Sequence, residues 1–127
     1  IKKYKLEAFQ VQYGSANLPT ATVALTTPEG TRLEHAGTGQ GSVEAIYNTL
    51  ESLVHEEIHL EDYQLSSIGK GRDALAEVHV KMTVNETETS GRGTAQDVLE
   101  ASANAFLNAV NRVFVTQHVQ EQKQAHV

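Results

Sequence analysis

The chain carries one local pattern twice. Ala36-Gly37-Thr38-Gly39-Gln40-Gly41-Ser42-Val43 alternates glycines and then runs into an apolar stripe. In that stripe Val43, Ile46, Tyr47, Leu50, Leu53 and Val54 recur at helical spacing. Ser90-Gly91-Arg92-Gly93-Thr94-Ala95-Gln96-Asp97 returns later, followed by a second stripe through Val98, Ser102, Ala105, Phe106, Ala109, Val110 and Val113. Each copy reads as a strand, a glycine turn and a helix, and each helix must bury its stripe on neighbouring sheet. Matching Gly37 to Gly91 gives an offset of 54 (91 − 37), while Val43 to Leu99 gives 56 (99 − 43), so the second turn reads as two residues longer.

The strands fill in around those turns. Residues 4–13 read as a first strand whose alternation changes phase near Ala8, the mark of a bulge or of burial on both faces. Gly14 to Pro19 reads as a loop and Thr20–Thr27 as a second strand. Pro28-Glu29-Gly30 turns it into a third strand, about 31–36. The first helix is expected from about Ser42, as N-cap, to Glu56. A fourth strand over 57–68 points Tyr63 and Leu65 inward. The fifth strand alternates cleanly, with Ala76, Val78, Val80, Met82 and Val84 on one face. A short sixth strand over about 87–90 leads to the second turn, where Thr94 and Asp97 form a capping box and place the second helix start at Thr94 or Ala95. The expected fold is α+β: two pseudo-symmetric βββα units, about 4–56 and 57–116, with helices packed on antiparallel sheets. Together they make one domain over 1–116, and 117–127 is a polar tail.

Composition narrows the function. The 127 residues hold 39% hydrophobic and 20% charged side chains, the balance of a folded domain, and no cysteine for disulfide or thiol chemistry. A formal net charge of -6 argues against a small αβ nucleic-acid binder. No run of about 20 apolar residues spans a membrane. The start, Ile1-Lys2-Lys3-Tyr4, has neither an initiator methionine nor a signal-peptide core and reads as the interior of a longer cytoplasmic protein.

Catalytic and metal motifs are weak. His55-Glu56-Glu57-Ile58-His59 spells the zincin pattern, which works only on one continuous helix. The stripe stops at Val54 and Ile58 already belongs to a strand, so no metal site is expected. The glycine turns match neither a P-loop nor a dinucleotide fingerprint. His35, His79, His118 and His126 read as solvated, and no nucleophile–base pair can be assigned. What remains is a binding or assembly domain, with glycine turns whose backbone N–H groups suit a carboxylate or phosphate.

Several separated stretches resemble one family in order and spacing. They are Gly14-Ser-Ala-Asn-Leu-Pro-Thr-Ala-Thr-Val23, Gly37-Thr-Gly-Gln-Gly-Ser-Val-Glu-Ala-Ile-Tyr47, Leu60-Glu-Asp-Tyr63, Gly71-Arg-Asp-Ala-Leu-Ala-Glu-Val78, and Gly91-Arg-Gly93 with Glu100 to Asn111. Together they resemble the C-terminal regulatory domain of 2-isopropylmalate synthases, over about Tyr4 to Arg112; citramalate synthases carry the same kind of domain. The resemblance implies a parent acyltransferase that condenses acetyl-CoA with 2-oxoisovalerate on a metal-binding (β/α)8 barrel outside this chain. For this chain it implies no catalytic residue and no cofactor. It implies an effector, leucine or isoleucine, bound at the interface of a homodimer for feedback inhibition. The implied effector residues are Gln40, Gly41, Ser42 and Val43 at the first turn, Leu60 and Ser67 on the fourth strand, Ala74 after it, and Thr94, Ala95 and Gln96 at the second turn. Ser42 and Gln96 depart from the family, where proline and a smaller or acidic residue are frequent. An oligomerisation module without effector binding stays open as the alternative.

Overall fold

The computed structural model describes residues 3–14 and 17–125, with side chains over 3–13 and 18–114. Two antiparallel three-stranded sheets are each followed by a helix. The first unit is β1 (Lys5–Gly14), β2 (Asn17–Thr26), β3 (Arg32–Thr38) and α1 (Ser42–Leu53). The second is β4 (Ile58–Ile68), β5 (Leu75–Val84), β6 (Thr87–Ala95) and α2 (Val98–Ala125), with a 3-10 turn over Gly71–Asp73 in the loop before β5. Strand order is sequential, β1-β2-β3 and β4-β5-β6. This is the expected pair of βββα units. No helix among the described residues is long and apolar enough to cross a membrane.

The middle strand of each sheet supplies the core. Ala21, Val23 and Leu25 of β2 lie under α1, and Val78, Val80, Met82 and Val84 of β5 lie under α2. Ile46, Leu50, Phe106 and Val110 close over them from the helices. The helices also touch each other: Tyr47 and Phe106 stack at 5.0 Å, so one core is shared by both units. The phase change in the first strand is a bulge between Leu6 and Ala8. An equivalent bulge lies between Leu60 and Asp62, 54 positions on (60 − 6). Asn85 and Glu86 both take positive φ, 50° and 69°, which closes the two-residue β5–β6 turn.

Several expectations need correcting. Gly91 and Gly93 are not a turn; they lie inside β6, which continues pairing with β5 as far as Ala95 opposite Ala76. α2 therefore begins at Val98, three to four residues later than expected, and Thr94 caps nothing. Asp97 is the capping residue, its Oδ1 accepting the Leu99 N–H at 2.8 Å. α1 starts at Ser42 as foreseen, but Ser42 is its first helical residue; Gly41 is the N-cap, with no side-chain bond. α1 ends at Leu53 rather than Glu56 because the β5–β6 turn captures the chain beyond it: Asn85 Oδ1 accepts the Glu57 N–H at 3.0 Å. β1 and β2 run into the stretch read as a loop, leaving only residues 15 and 16, which lie outside the described set. Leu65 is 51% exposed instead of buried, and Tyr63 is half-buried. The polar tail carries α2 on through Ala125, an extension the sequence allows.

The glycines explain themselves by contact. A Cβ on Gly93 would lie 2.2 Å from the Ala101 carbonyl oxygen, and one on Gly91 2.2 Å from that of Ala105. The alanines of α2 thus seat the helix backbone directly on the β6 backbone. In the first unit a Cβ on Gly37 would meet Thr49 Oγ1 at 2.6 Å, and one on Gly39 the Ala45 nitrogen at 2.5 Å. Ladder register places Gly37 opposite Ala21 and Gly93 opposite Val78. The structural partner of Gly37 is Gly93, 56 positions away (93 − 37), the same spacing as Ser42 to Val98 (98 − 42). The second copy has no two-residue insertion; the glycine pair is shifted one ladder step along its strand.

Candidate functional site

The implied effector residues fall into three places. Gln40 to Val43 form the entry to α1. Gly39 is buried there, its N–H bonded to the Pro19 carbonyl at 3.2 Å, and the first helical bond runs from the Ala45 N–H to the Gly41 carbonyl at 2.9 Å. Gly41 has φ of −134°, extended backbone open to any residue, and a Cβ there meets nothing within 4 Å. Gly41 therefore makes no use of glycine's conformational freedom. Because no side chain caps α1, its first-turn N–H groups face outward with the positive end of the helix dipole, and Glu44 is the one acidic residue in that turn. At α2 the same position is already filled by Asp97. Of the two α-helix starts, the one at α1 is without a side-chain cap.

The second place is one end of the second sheet. Ser67, Ala76 and Ala95 stand in one row across β4, β5 and β6. Thr94 lies opposite Glu77 in the next row, Gln96 follows β6, and Ala74 leads into β5. These are small side chains around a shallow, half-exposed floor. Leu60 is the third place. It pairs with Met82 seven residues back along β4 from Ser67, about 23 Å away in an extended strand. Among the described residues no hydrogen bond or ring contact joins the α1 entry to the sheet end. Two clefts of about 560 and 450 Å³ are lined by none of these residues.

What links Leu60 to Ser67 is the face they share. The β4 bulge puts Leu60, Tyr63, Leu65 and Ser67 on the side that faces the helices. Leu60 and Leu65 remain 40% and 51% exposed because α2 covers β5 and β6 and leaves β4 open. Tyr63 anchors the row: its hydroxyl bonds Ser102 Oγ at 2.8 Å and its ring meets Tyr47 edge-on at 6.1 Å. The Tyr47 hydroxyl donates to the Ser102 carbonyl at 2.8 Å. Burial pushes the Tyr47 hydroxyl well above the usual tyrosine range, and neighbouring Tyr63 adds to this. Tyr63 and Leu65 were absent from the implied set; the interrupted alternation of β4 was the signal that could have added them. The zincin pattern is broken as expected, with His55 beyond the end of α1 and His59 in β4.

A family model for the LeuA allosteric (dimerisation) domain matches residues 1–114. The chain belongs to that family. Among curated relatives, the 2-isopropylmalate synthase of Geobacillus sp. (strain WCH70) is 54% identical over 121 residues, covering 95% of this chain and 24% of the relative. That of Bacillus pumilus (strain SAFR-032) is 58% identical over 110 residues, 86% of this chain and 21% of the relative. That of Shouchella clausii (strain KSM-K16) is 51% identical over 124 residues, 98% and 24%. The chain spans about a quarter or less of the length of these relatives. In this LeuA-family chain the paired βββα units form the scaffold, the α1 start has no side-chain cap and Leu60 and Leu65 of β4 stay exposed.

Proposed function

We propose that this LeuA domain is the feedback-regulatory part of a 2-isopropylmalate synthase and binds leucine between two copies of itself. The observation that carries the reading is the similarity of nearly the whole chain to 2-isopropylmalate synthases. The geometry is consistent with it. An amino acid needs a polar end and an apolar end, and this chain keeps those on separate elements: bare N–H groups at α1, aliphatic surface on β4. A second copy that brings one against the other completes an enclosed pocket. The parent reaction, condensation of acetyl-CoA with 2-oxoisovalerate, and its divalent metal belong to a catalytic barrel outside this chain. The relatives' names favour leucine over the isoleucine of citramalate synthases.

Calorimetric titration with leucine, isoleucine and valine tests the reading, with light scattering in parallel. Leucine should bind most tightly, one per chain, to a dimer. A dimer that binds none of the three would leave an oligomerisation module, and a monomer at high micromolar concentration would remove the shared pocket.

A further inference from the structure

The sheet face turned away from α2 carries chemistry that an effector site on the helix side does not use. Asp62 and Gln64 of β4, His79 and Lys81 of β5, and Ser90 and Arg92 of β6 line a cleft of about 450 Å³ there. Arg112 reaches round the edge of β6 from α2 to join them, its guanidinium 3.4 Å from the Ser90 carbonyl and 3.3 Å from Ser90 Oγ. Three of the ten Lys and Arg residues of an acidic chain thus converge on one concavity.

Of the carboxylates nearby, Glu77 and Asp62 have partners, while Glu61 and Glu88 line the adjoining cleft beside Lys81 and Arg112. Glu77, only 15% exposed, takes Arg92 at 3.2 Å and His79 at 2.5 Å, which fixes both side chains across the sheet. Asp62 accepts from Gln64 Nε2 at 3.2 Å. Lys81 stands between Asp62 and Ser90 in the ladder, exposed and without an ion pair among the described residues. We propose that this cleft is a binding site for a phosphate-bearing anion, with Lys81 as point charge and Arg92 and Arg112 as planar donors on either side. Two guanidinium forks and one ammonium are the donor set that phosphate oxygens favour.

The test is an NMR titration of the ¹⁵N-labelled chain with inorganic pyrophosphate, orthophosphate and ADP, against sodium chloride at matched ionic strength. Pyrophosphate should give saturable shifts confined to Lys81, Ser90, Arg92 and Arg112. Lys81→Gln should weaken binding by about tenfold, and Lys81→Glu more. Arg32→Gln, on the other sheet, should leave it unchanged. Tighter binding of ADP than of pyrophosphate would identify a nucleotide-type ligand, and equal binding a free phosphate; either supports the site. Shifts reproduced by sodium chloride, or unaltered affinity in a folded Lys81→Gln chain, would overturn it. Leucine titration reads a different face, so the two results are independent.

Discussion

Asn111 holds Tyr4 by both ends of its amide. Asn111 Oδ1 accepts the Tyr4 N–H at 2.7 Å and Asn111 Nδ2 donates to the Tyr4 carbonyl at 2.8 Å. A side chain of α2 thus provides the two hydrogen bonds that a neighbouring strand would have made. Tyr4 is buried there, its ring 5.6 Å from Phe114. The start of the first unit is thereby tied to the helix of the second across 107 residues.

Asn111→Ala should cost about 2–3 kcal/mol, since it strands two backbone groups in a half-buried place. Urea unfolding should show a lower midpoint. A loss below a few tenths would mean that water replaces the amide without cost.

Glycine substitutions should separate contact from conformation. Gly93→Ala forces a methyl group into the α2 backbone and should destabilise by several kcal/mol or prevent folding. Gly41→Ala meets open space at ordinary φ, so it should cost only about 0.5–1 kcal/mol, the difference between alanine and glycine at an N-cap. Thermal melts of both variants decide this; a fragile Gly41→Ala would contradict the open α1 entry.

Gly41→Asp sharpens the effector reading. An aspartate at this bare N-cap should stabilise α1 by about 0.5–1 kcal/mol without ligand. Its carboxylate should also occupy the donors that a leucine carboxylate needs. A variant that melts higher than the parent chain yet shows no further rise with leucine is the expected result. A full leucine-induced rise would place the ligand elsewhere.

Alkaline pH should destabilise the fold through Tyr47. In the unfolded chain a tyrosine loses its proton near pH 10, whereas buried Tyr47 keeps its own. The folded state then binds more protons, so stability falls as pH rises above about 10 and is unaffected below that. Tyr47→Phe should flatten the slope by about one proton while costing about 1 kcal/mol at neutral pH for the lost bond to Ser102. Unfolding curves between pH 8 and 11 measure both quantities.

A chelator should not change the melting temperature, because His55 lies in the connection after α1 and His59 in β4, not on one continuous helix. A drop with EDTA, restored by zinc, would overturn that reading.

The duplicated architecture was legible because hydrophobic period and glycine placement are local signals. Alternation in β5 and the helical stripes of α1 and α2 carried over directly. The end of β6 and the start of α2 were misjudged because Gly91 and Gly93 look like turn residues until the helix they contact is known. Their small size serves packing between distant segments, which periodicity cannot report. The role of Tyr63 was hidden for a related reason: its partner Ser102 lies 39 residues away on α2, and a bulge decides which face of β4 Tyr63 occupies. The implied effector residues do not form one place within a single chain, since they are spread over the α1 entry, one end of the second sheet and the far end of β4.

The backbone-to-backbone seat of α2 on β6 leaves no compressible layer between them. Side chains ordinarily act as cushioning, letting a helix slide or tilt over its sheet by switching rotamers. With glycine facing alanine that freedom is gone, and strand and helix form one stiff girder. α2 runs for 28 residues, about 42 Å. A small rotation of the second sheet is therefore magnified at the far end of that girder, where the displacement is largest.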